Sequence, residues 1–399
     1  MTTSRATTGP RGCWDLPTPL PCPRAGEWAL HLPPVPLYEA LRPLLFHCDP
    51  ERAHGLAMGA LRLAQGVPGA GSLLASRFRV DDPALRQTVL GQEIGNPVGL
   101  AAGFDKNGLA VPGWAALGFG FAEVGTVTPL PQEGNPRPRL FRHVAQHSLQ
   151  NSLGFNNRGL DALRARLLAT ARRRGQEAGA GRYPLPLGVN LGKGRGTPPA
   201  EALGDYTALL AGLGDLADYL VINLSSPNTP SLRDLQNEGF VRDLLQAARS
   251  LTRTPVLVKL SPDLAPAALE ALAAAAVEAG AAGIVATNTT IDYALLPGAS
   301  PVGGLSGQVL RARSLAATVA LGRCLRGSGA VLISAGGVDS GEEAYRRLRA
   351  GASLVQLYTA LVYEGPSVVR RINRELLALM ARDGFTHVSQ VVGAGLAER

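Results

Sequence analysis

The chain has 399 residues, 46% of them hydrophobic and 18% charged, which is long enough for one large α/β domain with an appendage or for two domains. Its net charge of +8 comes from arginines scattered over helical stretches rather than from a basic patch, and this argues against a nucleic-acid partner. Cys13, Cys22, Cys48 and Cys324 form no Cys-x-x-Cys pair and lie at no ligand spacing from a histidine, which argues against a disulfide framework or a metal site and makes a reducing compartment the default.

Residues 1–35 are rich in Pro, Thr and Arg without periodicity and read as a disordered segment. From residue 36 to 75 helical spacing takes over, with Leu37, Leu41, Leu44 and Leu45, then Ala53, Leu56, Ala57, Ala60 and Leu61. Asp49 suits an N-cap and Pro50 the first helical position. The spacing predicts a helical pair, packed on a core or offering an apolar face to lipid or a lipid-soluble substrate. No apolar run is long enough to cross a bilayer.

Residues 76–385 carry eight strand-like apolar runs: 98–101, 122–124, 185–190, 219–224, 256–260, 283–287, 330–334 and 354–358. Amphipathic stretches such as 266–279 and 342–350 separate most of them. Continuous apolar strands alternating with helices predict a buried parallel sheet, and eight units suit a (β/α)8 barrel. A doubly wound open sheet is the alternative. Residues 386–399 read as a C-terminal tail.

In a barrel the functional groups stand at the C-terminal ends of the strands. Those ends supply Lys106, Thr126, Asn190, Asn223 with Ser226, Lys259, Thr287 with Asn288, Gly336-Gly337, and Tyr358-Thr359. The chain has only three lysines, and Lys106 and Lys259 are two of them. A double glycine after the seventh strand lets backbone N–H groups approach a phosphate. No Ser-His-Asp or Cys-His set is apparent, and paired carboxylates are lacking. Lys, Asn, Ser and Thr at one mouth suit a planar imide-like ring and developing negative charge, which points to redox chemistry with an organic cofactor.

The stretches GLAAGFDKNG, EVGTVTPLPQEGNPRPRLFR, NSLGFNNRG, GVNLGKG, VINLSSPNTP, VLVKLSPD, ATNTT, GGLSG, AGGV and GASLVQLYTAL resemble class 2, quinone-dependent dihydroorotate dehydrogenase, in that family's order. HCDPERAHGLAMGALRLA resembles the N-terminal element of class 2. The resemblance implies a (β/α)8 barrel with a small N-terminal helical extension at the membrane and quinone tunnel. It implies oxidation of (S)-dihydroorotate to orotate in pyrimidine biosynthesis with bound FMN, and transfer of electrons to ubiquinone or menaquinone. Membrane-bound eukaryotic relatives carry a presequence and a transmembrane helix; no such helix is seen here, which favours a bacterial protein peripheral on the cytoplasmic side of the inner membrane, and a monomer is expected. FMN contacts are implied for Ala102, Gly103, Phe104, Asp105, Lys106, Thr126, Asn190, Asn223, Lys259, Thr287, Gly307, Gly337, Tyr358 and Thr359. Substrate contacts are implied for Lys106, Asn151, Ser152, Leu153, Gly154, Phe155, Asn223, Asn228, Asn288 and Thr289. Ser226 matches the catalytic base, and His54 and Arg142 match tunnel positions. Ser152 stands where the family usually has Arg, and Gly194 where Asn is common. An RNA-modifying flavin barrel of the dihydrouridine synthase kind is the alternative reading that the net charge motivates.

The residue types fit the implied chemistry. The substrate loses a proton beside a carbonyl and a hydride from the adjacent carbon, so a base is needed on one face of the ring and an electron acceptor on the other. Asparagine amides offer a donor and an acceptor, which match alternating C=O and N–H along a pyrimidine edge. A lysine ammonium is a compact point charge that can approach a ring edge where a guanidinium fork is too wide.

Overall fold

A computed structural model of the chain describes residues 36–174 and 184–396. The reading of residues 1–35 therefore lies outside the described residues. All eight apolar runs are strands: β3 (Val98–Leu100), β4 (Phe121–Val127), β7 (Leu187–Leu191), β8 (Tyr219–Asn223), β9 (Val256–Leu260), β10 (Gly283–Ala286), β12 (Val331–Ala335) and β13 (Leu354–Leu357). They pair in parallel and close into a barrel, which removes every edge and settles the closed barrel over the open sheet. A hairpin of β1 (Gln87–Val89) and β2 (Gln92–Ile94) precedes the barrel.

Strand residues alternate between the barrel interior and the helical shell. Phe121, Tyr219, Val221, Leu257, Val285, Ile333 and Leu354 form an inner cluster, closed below by Val89 and Ile94 of the hairpin. Two glycines make room for the rings. A Cβ on Gly99 would lie 2.3 Å from Phe121 Cζ, and one on Gly188 would lie 2.1 Å from Tyr219 Cζ. The lower barrel is thus packed solid, and only its upper layer is free for polar groups. The alternate strand residues, Leu100, Ala122, Val189, Leu220 and Val258 among them, are fully buried against the surrounding helices.

Three elements differ from the sequence reading. The N-terminal helices number three rather than two: α1 (Pro36–His47), α2 (Pro50–Gly66) and α3 (Ala70–Phe78). Asp49 caps α2, accepting from Arg52 N at 3.0 Å. Residues 386–396 are docked rather than a tail: Val388 and Val391 are fully buried, and Gly393 N and Gly395 N donate to Leu348 O and Arg349 O. A small antiparallel sheet, in the order β11 (Gly304–Gly307), β6 (Ser148–Asn151), β5 (Leu140–His143), has no counterpart in the sequence reading. Among the described residues no helix is long and apolar enough to cross a membrane.

Candidate active site

One cavity opens at the C-terminal ends of the strands, about 1130 Å³ counted out to solvent. It brings together Ala102, Gly103, Lys106, Thr126, Asn151, Leu153, Gly154, Phe155, Asn223, Ser226, Asn228, Lys259, Thr287, Asn288, Thr289, Gly307, Gly337, Tyr358 and Thr359. Four of the residues expected there stand back from it, namely Phe104, Asp105, Ser152 and Asn190.

Asp105 faces the protein. Its carboxylate accepts from Leu109 N at 2.7 Å, Ala110 N at 2.8 Å and Trp114 Nε1 at 3.1 Å, which fixes the turn that presents Lys106. Phe104 packs edge-on against Trp114, Tyr358 and His54. Ser152 contributes backbone only, donating N–H to Arg139 O and accepting from Asn135 Nδ2. Asn190 is fully buried one step below the floor, where its Oδ1 accepts from Thr126 Oγ1 at 2.5 Å and from Asn223 Nδ2 at 3.0 Å.

Above that floor the amides form a connected set. Asn223 Oδ1 accepts from Ser225 N, Ser225 Oγ and Asn288 Nδ2 at 3.1–3.2 Å. Asn228 Nδ2 donates to Asn151 Oδ1 at 3.2 Å, and Asn228 N donates to Ser226 Oγ at 3.2 Å. The Ser226 hydroxyl therefore receives one bond and keeps its own proton available. Asn228 Oδ1 and Thr289 Oγ1 are buried without a partner among the described residues. Such orphaned groups at a cavity wall fit a polar ligand that supplies the missing bonds.

The two lysines have no hydrogen-bond or ion-pair partner within the described protein. Burial pushes Lys106 down to about 8, with Arg139 adding to the effect and Glu51 and Asp105 opposing it. Burial also lowers Lys259, opposed by the charge of Glu123. An unpaired ammonium at a cavity wall, half-buried at Lys106 and buried at Lys259, calls for an anionic ligand atom, such as a carboxylate or a reduced ring. Lys193 plays a different part: its Nζ donates to Gly194 O at 3.0 Å and Thr197 O at 2.5 Å and pins its own loop outside the cavity.

Glu123 is a site residue that no strand-end motif marks. It has no solvent exposure, accepts from Asn190 Nδ2 and Gln356 Nε2 at 2.6 Å each, and so anchors the floor amides. The signal is present in the chain: an acid at an inward period-2 position of an otherwise apolar strand. His147, Ser306, Gln356, Asp339, Tyr363 and Glu364 also line the cavity. His147 stacks on Tyr363 at 5.0 Å, and no strand-end pattern marks it.

His54 and Arg142 lie beside the cavity rather than in it. His54 Nε2 bonds Phe104 O at 2.8 Å, and burial, then the charge of Lys106, lower its pKa. Its ring continues through Phe104 to Tyr358, which does line the cavity. The Arg142 guanidinium sits 4.7 Å over the Phe46 ring and donates to Phe46 O and Cys48 O of the α1–α2 turn.

Residues 84–380 match the family model described as dihydroorotate dehydrogenase. The chain belongs to the dihydroorotate dehydrogenase family. It is 49% identical over 356 residues to the dihydroorotate dehydrogenase (quinone) of a Nitratiruptor species, covering 89% of this chain and 98% of the relative. It is 45% identical over 381 residues to the protein of the same name from Deinococcus radiodurans, covering 90% and 100%. Among solved structures, the Eimeria tenella dihydroorotate dehydrogenase in complex with ferulenol superposes with a TM-score of 0.80 at 36% identity, covering 89% of this chain and 99% of that one. Among the described residues no group of His, Cys, Asp and Glu could hold a metal.

Proposed function

We infer that this member of the dihydroorotate dehydrogenase family oxidises (S)-dihydroorotate to orotate with FMN in the barrel mouth and passes the electrons to a membrane quinone. The observation that carries the reading is the pairing, in one cavity, of two lysines without a partner among the described residues, Lys259 buried and Lys106 half-buried, with a ring of asparagine amides around Ser226. The RNA-modifying alternative is dropped, because the relatives that match nearly the whole chain bear the quinone-dependent name.

The residues fit FMN. Gly103, Gly307 and Gly337 each have positive φ where the wall is backbone, and a Cβ on Gly307 would meet His147 O at 2.5 Å. Thr126, Asn223, Lys259 and Thr287 would hold the ring, and Gly336, Gly337 and Thr359 the phosphate. When bound, FMN supplies a two-electron acceptor that takes a hydride. Lys259 would face the negative charge of the reduced ring, with Glu123 and Asn190 fixing the floor beneath.

On the substrate side, Asn151, Asn223, Asn228 and Asn288 present donors and acceptors to the pyrimidine edge, and Thr289 Oγ1 and Asn228 Oδ1 gain the bonds they lack among the described residues. Lys106 would pair with the substrate carboxylate. Ser226 Oγ removes the proton beside the carbonyl. A serine is a weak base, so the polar set around it must stabilise the developing charge and carry the proton onward.

The N-terminal helices support the membrane partner. Leu44, Leu56, Leu63 and Leu73 of α1–α3 are 62–76% exposed, an apolar face suited to peripheral contact with the bilayer. We place the enzyme on the cytoplasmic side of a bacterial inner membrane, with ubiquinone or menaquinone entering between α1, α2 and the His54–Phe104–Tyr358 ring series. One chain lines the whole cavity, so the reaction needs no residue from a second copy. Dihydroorotate-dependent reduction of a quinone analogue tests the reading. Turnover with fumarate but none with quinone would overturn the quinone assignment.

A further inference from the structure

Behind the double glycine stands a fully buried guanidinium that the chemistry above does not use. Arg347, on the helix Gly341–Arg349, has no solvent exposure. Its Nε donates to Glu343 Oε1 at 2.9 Å and its Nη1 to Ser334 Oγ at 2.9 Å. Its Nη2 donates to Ser314 Oγ at 2.9 Å and to the Gly336 carbonyl at 2.8 Å. Ser314 Oγ donates to that same carbonyl at 2.7 Å. A buried ion pair such as Glu343–Arg347 is a weak source of stability, since apolar residues of similar volume often serve as well. Its use here lies in what it orients.

The Gly336 carbonyl and the Gly337 N–H belong to one trans peptide plane, so they point in opposite directions. Two donors hold the carbonyl outward, away from the cavity that both glycines line. The Gly337 N–H is thereby aimed into the cavity. Among the described residues, neither the Gly336 nor the Gly337 N–H has a protein acceptor. The loop also needs holding: Gly336 and Gly337 have φ of +105° and +74°, and a Cβ on Gly337 would meet Arg311 Cα at 2.7 Å. Glycine adopts such angles freely but adopts others just as freely.

We propose that Arg347, assisted by Ser314, is a positioning residue for phosphate recognition, holding the Gly336 peptide from outside the barrel wall so that the Gly337 N–H is presented to the phosphate oxygens of the bound flavin. The inference rests on the FMN reading above. Arg347 does not touch the phosphate. It acts through a peptide plane, and its effect is confined to ligands that carry the phosphate.

The test compares FMN with riboflavin, which has the same ring and no phosphate. The full chain, stripped of flavin, is titrated with each by quenching of flavin fluorescence, in its unsubstituted form and as Arg347→Met and Ser314→Ala. Loss of a charge-assisted contact predicts FMN affinity lower by roughly tenfold or more in Arg347→Met and by a smaller factor in Ser314→Ala. Riboflavin affinity should change by less than about twofold, so that the FMN-to-riboflavin ratio falls. A general packing role would lower both affinities together, and that result, or an unchanged ratio, overturns the proposal. If Arg347→Met does not fold, the Ser314→Ala ratio decides alone. If the unsubstituted chain itself shows no preference for FMN, the reading of a phosphate at this loop fails and takes the inference with it.

Discussion

Replacing Glu123 with Gln tests whether the buried carboxylate organises the cavity floor. Its two oxygens each accept an amide N–H at 2.6 Å, from Asn190 and Gln356. A hydrogen bond to a charged group contributes roughly 1.5–3 kcal/mol. A glutamine keeps one acceptor and turns the other into a donor facing an N–H, so one bond is lost and two donors oppose each other. Relief from burying a charge offsets part of this, leaving a net loss of about 2–3 kcal/mol. With an unfolding entropy of roughly 0.7 kcal/mol/K for a chain of this size, the melting temperature should fall by about 3–4 °C. The second effect is electrostatic. Glu123 opposes the downward push of burial on Lys259, so without it the Lys259 pKa falls further and its ammonium is lost at lower pH. Flavin reduction by dihydroorotate, followed by stopped-flow absorbance, should then decline earlier on the alkaline side than in the unsubstituted enzyme. An unchanged melting temperature together with an unchanged alkaline limb would mean that Glu123 neither braces the floor nor tunes Lys259.

Ser226→Ala should slow single-turnover flavin reduction by about 10²–10⁴-fold with FMN still bound; an unchanged rate rejects Ser226 as the base. Lys259 is buried at the cavity floor, so Lys259→Arg forces a wider group into fixed space and should slow flavin reduction by roughly tenfold or more, whereas Arg86→Lys at an exposed ion pair should not. Lys106, pushed down to about 8, is an ammonium below that pH and neutral above it. The value of kcat/KM for dihydroorotate should therefore fall as the pH rises through about 8, and a profile flat through that value contradicts the carboxylate-pairing role.

The barrel is legible because its strands are continuous apolar runs, a pattern imposed by burial on both faces. All eight run within a few residues of their predicted bounds. The small sheet of β5, β6 and β11 is not legible, because Leu140–His143, Ser148–Asn151 and Gly304–Gly307 are short, polar or glycine-rich and carry no period of their own. The docked C-terminus is hidden for a related reason: its anchors, Val388 and Val391, lie in a short stretch with no sustained period. Within the site, motif residues give the cavity wall well but not the direction each side chain takes. Asp105 and Asn190 sit inside matching motifs yet turn away from the cavity, to cap a turn and to brace Thr126. Glu123 and Arg347 act through bonds to residues distant in sequence, Gln356 in one case and Ser314 in the other, which no linear spacing reveals.

The visible spectrum of the purified protein, followed through one catalytic cycle, decides whether flavin links dihydroorotate to quinone here. The protein should be yellow, with a flavin band that bleaches when dihydroorotate is added without oxygen and returns when a quinone analogue follows. A protein that carries flavin but does not bleach with dihydroorotate, or bleaches and does not recover with quinone, would contradict that link.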